Sequence, residues 1–159
     1  PRVEIIESDP LDTGYRKAVT KLLDMATTEV IAIVGEIGVY RFVDVRWSLE
    51  RVIDRGCKVQ IYADENKADT NVVGRLVDLG AEVYLGPEPD ERLMEVDRRH
   101  WFGRTSANRA GEVHWDDPYG ATKIMNRFNE CISKARRVNA SSISVGEDPL
   151  FRVFSNTAV

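Results

Sequence analysis

The stretch DERLMEVDRRHWFGRTSAN, from Asp90 to Asn108, is the part of the sequence that decides the fold. Its segments ERLMEV and RRHWFGR have the length and composition of two short β-strands, which we expect to pair with each other. Many of its side chains can bind an anion. These are Arg92, Arg98, Arg99, His100, Arg104, Thr105, Ser106 and Asn108, with Arg109 just beyond them. This predicted hairpin therefore bears on the function of the protein as well as on its fold.

The chain before this stretch alternates between strands and helices. The segments RGCKVQIY and LGAEVYLG each join a helix end, a glycine and an apolar strand, and this repeated order indicates two successive βα units. We expect helices over 15–25, 39–55 and 65–80, with Gly56 and Gly80 at the C-terminal ends of the second and third. The strand around residues 30–35 is wholly apolar, which is typical of a strand covered on both faces.

After the stretch, Asp117 and Pro118 open a last predicted helix with an apolar and a basic face. The basic positions are Lys123, Arg127, Lys134, Arg136 and Arg137. Together the elements predict an α/β protein with a mixed, mainly parallel sheet flanked by helices on both faces. We assign residues 1–138 to one domain and 139–159 to a tail that is irregular or docks as a strand.

Composition restricts the classes of function. The 159 residues carry a net charge of −4, with acidic and basic residues interspersed, which argues against a surface built wholly for nucleic acid. Cys57 and Cys131 are far apart and lie in apolar periodic segments, so we expect buried free thiols and a reducing, cytoplasmic location. No apolar run is long enough to span a bilayer. No cofactor is expected.

Several smaller motifs have competing interpretations. The glycines of VGEIGVY, Gly35 and Gly38, fit a tight turn between strand and helix better than a phosphate loop, because a Walker lysine is missing. The two histidines, with nearby acids, suggest a metal site or a Ser/His/Asp triad only weakly, since neither the helical ligand spacing nor a nucleophile elbow is present. The residues concerned are His100, His114, Glu112, Asp116 and Asp117 for a metal, and Ser106, His100 and Asp97 for a triad.

The run RRHWFGR, residues 98–104, also has two interpretations. Alternating basic and aromatic side chains can neutralise and stack on a nucleic acid strand. The same residues are typical of an edge strand whose charges prevent aggregation, and we favour this second interpretation.

With the order of the elements in place, the Asp90–Asn108 stretch resembles the signature of the phospholipase D superfamily, H-x-K-x4-D-x6-G-S-x-x-N. Aligned without a gap, the signature places its aspartate on Asp97 and its asparagine on Asn108, and both match. The remaining positions differ: the histidine falls on Asp90, the lysine on Arg92, and the glycine and serine on Arg104 and Thr105. The helix-to-strand corners RGCKVQIYAD and LVDLGAEVYL also resemble those of the family.

The departures bear on the chemistry that the resemblance implies. In that family the histidine attacks phosphorus and the lysine holds phosphate oxygens, a role that Arg92 can keep because arginine binds phosphate well. Asp90 cannot replace the histidine, since a carboxylate repels a phosphodiester. Because Asp90 and Arg92 are two residues apart in a strand, we expect them on one face, where a salt bridge would neutralise the site. Arg104 fills space that a glycine leaves open.

The resemblance therefore implies a non-catalytic module with a remnant anion-binding pocket. Its predicted residues are Asp90, Arg92, Asp97, Arg104, Thr105 and Asn108. Effector domains of certain archaeal sugar-responsive transcription regulators look like such folds without the catalytic pair, so a regulatory domain that binds a small anionic or sugar-type ligand is implied. A homodimer is implied too, because single halves of the family pair through their signatures.

Two alternatives stay open at the level of sequence. One is a phosphodiesterase or nuclease whose nucleophile has moved to His100 or His114. The other is a nucleic-acid-binding domain that uses RRHWFGR and the basic face of the last helix, with an affinity that falls steeply as salt is added.

Overall fold

The computed structural model describes residues 2–7, 9–35, 37, 42–105 and 110–139, and within them it forms one sheet and four helices. The strands are β1 (Arg2–Ile6), β2 (Glu29–Ile33), β3 (Lys58–Asp64), β4 (Glu82–Gly86), β5 (Glu91–Val96), β6 (His100–Thr105), β7 (Gly111–Trp115) and β8 (Arg136–Val138). The helices are α1 (Thr13–Met25), α2 (Val43–Asp54), α3 (Thr70–Leu79) and α4 (Pro118–Ile132).

The strands lie in the order β1-β7-β6-β5-β2-β3-β4-β8. The predicted mixed sheet is confirmed, and so is the predicted pairing of the two signature strands as the antiparallel hairpin β5–β6. Parallel pairing is less extensive than expected, because it is limited to β2–β3 and β3–β4, where the two predicted βα units lie. The other five pairings between described strands are antiparallel.

Helices cover both faces of this sheet, as predicted. On one face, the apolar sides of α1, α2 and α3 bury a large core. It includes Leu22 of α1, Leu49 and Val52 of α2, and Leu76 of α3. On the other face, Phe128 of α4 packs in a smaller cluster with apolar side chains of β2 and β3. Because side chains alternate along a strand, Arg92, Met94 and Val96 of β5 face α1, while Glu91, Leu93 and Glu95 face α4.

Local sequence signals account for four of the eight ends of the described helices. Gly56 and Gly80 adopt φ angles of 86° and 115°, so both predicted glycine turns are confirmed. The Asp69 carboxylate accepts hydrogen bonds from the backbone N–H groups of Asn71 and Val72 at the start of α3, and Asp117 accepts one from Gly120 at the start of α4.

Two predictions about positions are wrong. The strand formed from RRHWFGR is not an edge strand: β6 lies between β5 and β7, and its position depends on pairings that are distant in sequence. The basic face of the last helix is shorter than expected, because α4 ends at Ile132 and Arg136 and Arg137 belong to β8, which pairs with β4.

The described helices include none that is long and apolar enough to cross a membrane. Both cysteines are free thiols, with Cys57 buried and Cys131 partly buried. The predicted domain boundary at Val138 stays a prediction, since residues 140–159 lie outside the described part of the chain.

Candidate functional site

Two arginines of the signature hairpin form the candidate site. Arg92 of β5 and Arg104 of β6 are direct cross-strand partners in the antiparallel register. Their side chains point to the face that α1 covers, beside the end of β2. Because directly opposite residues have Cβ atoms about 5 Å apart, the hairpin brings the two positive charges together.

The Arg92 side chain lies flat against the backbone at the end of β2. A Cβ atom built on Gly35 would be 2.1 Å from Nη2 of Arg92, so the guanidinium fits there only because residue 35 is a glycine. Its Nη1 donates to the carbonyl oxygens of Pro89 at 3.1 Å and Glu91 at 3.4 Å. These contacts fix the guanidinium in place and leave other N–H donors for a ligand.

Arg104 lies over the ring of Tyr15 in α1, with its guanidinium carbon 4.7 Å from the ring centroid. The ring of Tyr15 packs edge-to-face against the ring of Phe102, a core residue, with the two centroids 5.0 Å apart. Burial raises the pKa of Tyr15. The nearby positive charges of Arg104 and Arg92 act in the opposite direction, but they do not cancel the effect of burial on this pKa. The phenol therefore stays protonated near neutral pH and can donate a hydrogen bond beside the arginine pair.

The charge of this pair is not neutralised by its own hairpin. Within the described ranges, neither Arg92 nor Arg104 forms an ion pair with a carboxylate. The acidic residues of β5 point to the other face, where Glu91 pairs with Arg127 at 3.4 Å and Glu95 is fully buried. Like charges that face each other across strands repel, so an anion bridging the two guanidinium groups would stabilise the hairpin.

The structure places Asp90 just before β5, beside a different pocket from the arginine pair. The expected salt bridge between Asp90 and Arg92 is absent from the described contacts, because Asp90 precedes β5 and is not held in its alternation. Asp90 instead lines a separate pocket of about 180 Å³ between the end of β3 and α4, together with Arg127 and Lys134. It is therefore not brought into the arginine pair.

Asp97 has a structural position at the opposite end of β5. It adopts a φ of 57° in the hairpin turn, and its carboxylate accepts hydrogen bonds from the backbone N–H groups of Thr27, Thr28 and Glu29 at 2.8–3.1 Å. Burial raises the pKa of this carboxyl, but these donors outweigh the effect and the pKa is lowered. Asp97 thus holds the start of β2 and stays ionised.

Other predicted anion ligands are either engaged elsewhere or not described. Arg98 pairs with Glu29 at 2.9 Å in the same turn as Asp97, and Arg99 pairs with Asp116. The side chain of Thr105 and all of Asn108 lie outside the described residues, as do Ser106 and Gly38. Arg92 and Arg104 are therefore the members of the predicted set that the structure brings together.

Neither histidine lies beside the arginine pair. His100 pairs with Val96 at the far end of the hairpin, four residues along β6 from Arg104, or about 13 Å. Its Nδ1 accepts the backbone N–H of Asp116, and burial lowers its pKa. His114 faces α4, where its Nε2 is 3.0 Å from Glu112. A relocated histidine nucleophile acting at the arginine pair is thus not supported by this geometry.

Contacts within the chain fix the position of Trp101, an aromatic residue of RRHWFGR. Trp101 stacks on His114 with ring centroids 3.9 Å apart, and its indole N–H donates to Asp117 at 2.8 Å. Over the described part of the chain, no group of three or more histidine, cysteine or acidic residues is placed to hold a metal ion.

Sequence reasoning missed Tyr15 and the close contact of Gly35. The spacing of Tyr15 in α1 marked it only as one of the inward-facing residues, and Gly35 was interpreted as a turn. The signal that could have singled them out is their position. Gly35 follows the carboxyl end of β2, and Tyr15 of α1 faces this end of the strand. Ligands of α/β proteins bind at the carboxyl ends of the strands.

Comparison with known proteins identifies the architecture. The sequence matches no protein-family model and no curated protein. Solved structures do match: Nuc from Salmonella typhimurium, a phospholipase D family member, superimposes with a TM-score of 0.71 at 17% identity, over 87% of this chain and 98% of Nuc. The chain has a phospholipase-D-like fold. NucT from Helicobacter pylori agrees, with a TM-score of 0.65 at 15% identity over 84% of this chain and 97% of NucT.

A further match to this phospholipase-D-like chain is a protein of another kind. TrmBL2, an archaeal chromatin protein described as having a novel mode of DNA binding, gives a TM-score of 0.67 at 18% identity. The match covers 87% of this chain and 55% of TrmBL2. At these identities the matches establish the fold and leave the chemistry to the residues of the site.

Proposed function

We propose that this chain is a non-catalytic phospholipase-D-like domain that binds a phosphate-type anion between Arg92 and Arg104. The observation that carries the proposal is the placement of two fixed guanidinium groups directly opposite each other without a carboxylate partner among the described residues. Arginine presents paired N–H donors that match two oxygens of a phosphate. The hydroxyl of Tyr15 supplies a further neutral donor at the same place.

The residues at the signature positions support the non-catalytic part of the proposal. Asp90 stands where the resemblance places the histidine nucleophile, and the two histidines of the chain lie away from the arginine pair. Guanidinium groups stabilise negative charge, but a displacement at phosphorus also needs an attacking group. The proposed site therefore binds without turnover.

The binding half of the proposal is tested by calorimetry with inorganic phosphate. We expect saturable binding that weakens by about tenfold or more in Arg92→Gln and in Arg104→Gln, since a hydrogen bond to a charged group contributes about 1.5–3 kcal/mol. Arg98→Gln is the matched control, because Arg98 is exposed, lies on the same hairpin and is paired with Glu29. Equal binding by all four proteins would refute the proposed site.

The catalytic half is tested by incubating the pure protein with bis(p-nitrophenyl) phosphate and with single-stranded DNA. We expect no product. Hydrolysis that disappears in His100→Ala or in His114→Ala would contradict the proposal and support the relocated nucleophile. Affinity for DNA that falls steeply with salt would instead support a nucleic-acid-binding domain.

The resemblance also leads us to propose that the domain is a homodimer and the regulatory part of a larger cytoplasmic protein. Support is indirect: a chain that has one signature hairpin corresponds to one half of the two-half enzymes of this family, and its cysteines are free thiols, as a reducing compartment allows. Light scattering during size-exclusion chromatography tests the dimer. A monomer mass at concentrations of tens of micromolar would contradict it.

A further inference from the structure

A second cavity lies on the other face of the sheet from the arginine pair. It runs between α4 and the strands β5 and β6, and we call it the α4 slot, defined by Leu93, Trp101, Tyr119, Lys123, Asn126 and Arg127. Its volume of about 590 Å³ falls in the range of small-molecule sites. Because Arg92 and Arg104 point to α1, the α4 slot is independent of the proposed anion site.

The wall of the α4 slot contains a rigid aromatic ring. The indole of Trp101 is fixed by its hydrogen bond to Asp117 and by its stacking on His114, with the two ring planes 8° apart. Two glycines let it lie flat: a Cβ atom would come within 2.9 Å of the indole at Gly103 and within 2.2 Å at Gly120. A ring held in this way loses little entropy when a ligand stacks near it.

The charged side chains that line the α4 slot balance in sign, with Glu91 and Asp117 against Lys123 and Arg127. Arg127 lies 3.4 Å from Glu91 and 2.8 Å from Glu130. The ammonium group of Lys123 lies over the ring of Tyr119, 4.5 Å from its centroid. The slot therefore has no strong net charge to offer, and the ligand that fits it is neutral and apolar on its faces.

Two exposed side chains of α4 complete the slot. Tyr119 is 74% exposed and lines the slot, so its ring is accessible to a ligand there. Asn126, seven residues later on the same side of the helix, lines the slot, and its amide makes no hydrogen bond with the described residues. An asparagine amide offers one donor edge and one acceptor edge, which together match the N6 and N7 atoms of adenine.

We propose that the α4 slot binds a neutral, planar heteroaromatic ring with a donor and an acceptor on one edge, the chemistry of an adenine base. The ring lies against Trp101 and Tyr119, and the amide of Asn126 reads its edge. This site recognises the base and makes no use of a phosphate.

The test is an NMR titration of the whole chain with adenosine, which carries the base without a phosphate. The chain has three indole N–H groups, and we expect the signal of Trp101 to shift in a saturable way while those of Trp47 and Trp115 stay in place. Trp47 is 56% exposed and therefore reports non-specific stacking. Ribose 5-phosphate, which lacks the base, should leave the Trp101 signal unchanged.

Two surface variants test the residues. Asn126→Ala should weaken adenosine binding by about fivefold or more, as expected for a lost bidentate contact to a base, and Tyr119→Ala should weaken it too. Asn129→Ala, on the same helix and outside the slot, should bind like the wild type. The proposal is overturned if millimolar adenosine leaves the Trp101 signal unmoved, if Trp47 shifts equally, or if Asn126→Ala and Asn129→Ala bind alike.

Discussion

Replacing Glu95 by glutamine should remove a large part of the pH dependence of stability. Glu95 is completely buried on the α4 face of β5, and burial together with the nearby charge of Glu29 raises its pKa from 4.5 to about 8. Between these two pH values the folded chain keeps a proton that the unfolded chain has lost. The free energy of unfolding should therefore fall as the pH rises through this window, and level off above about pH 8.

The size of the effect follows from the linkage of one proton. A single proton changes the free energy of unfolding by about 1.4 kcal/mol per pH unit, which is of the order of 5 kcal/mol across the whole window. Glutamine is uncharged and keeps an oxygen that can accept the backbone N–H of Arg98, as Glu95 does. Glu95→Gln should thus be more stable than the wild type at pH 8 and about equally stable near pH 5.

Urea unfolding followed by circular dichroism at several values between pH 5 and 9 measures this difference. The exposed Glu65→Gln is the control for removing one acidic charge, and its curve should run parallel to that of the wild type. If the wild type and Glu95→Gln lose stability in parallel as the pH rises, the buried, protonated Glu95 carboxyl is ruled out.

Three further substitutions have defined outcomes. Gly35→Ala should lower phosphate affinity about as much as Arg92→Gln does, because the new methyl group would push the Arg92 guanidinium out of its position. The loss of stability should be small, since the three atoms nearest to that methyl group all belong to the end of the Arg92 side chain; calorimetry measures the affinity. Asp97→Ala should cost about 3 kcal/mol in urea unfolding above pH 4, since it frees the backbone donors at the start of β2, and should leave phosphate binding unchanged. Gly120→Ala should destabilise the fold, although alanine favours helices, because its Cβ atom meets the indole of Trp101; thermal unfolding measures it.

One glycine substitution without a steric clash is the control for Gly35→Ala and Gly120→Ala. Gly56→Ala meets no atom within 4 Å and tests a glycine with positive φ alone, at a cost of about 1 kcal/mol. A Gly35→Ala protein that binds phosphate normally would show that Arg92 does not need to lie against Gly35 in order to bind phosphate. An Asp97→Ala protein as stable as the wild type, or a Gly120→Ala protein more stable than it, would contradict the contacts described above.

The sequence predicted the local parts of this structure well. The two βα units, the glycine turns at Gly56 and Gly80, and the β5–β6 hairpin all depend on residues that are close in sequence, and all are confirmed. The position of β6 inside the sheet was not predicted, because its partner β7 and the edge strand β1 are set by long-range pairing.

The candidate site was only partly predictable for the same reason. The pairing of Arg92 with Arg104 follows from the hairpin. Whether Asp90 lies on the same face as Arg92 depends on where β5 begins, and the strand begins one residue after Asp90. The signature aspartate Asp97 matched its position, yet its partners at residues 27–29 are about 70 residues away in sequence, so its structural role could not be read from the motif. Tyr15 entered the site through the packing of α1 on β6.

The most direct test of the anion site is to observe the arginine side chains themselves while phosphate is added. In an NMR titration of the Nε–H groups, we predict that the signals of Arg92 and Arg104 shift together with one saturation curve, and that the signal of Arg98 does not follow it. Signals of Arg92 and Arg104 that stay fixed, or that move no more than that of Arg98, would contradict the central claim.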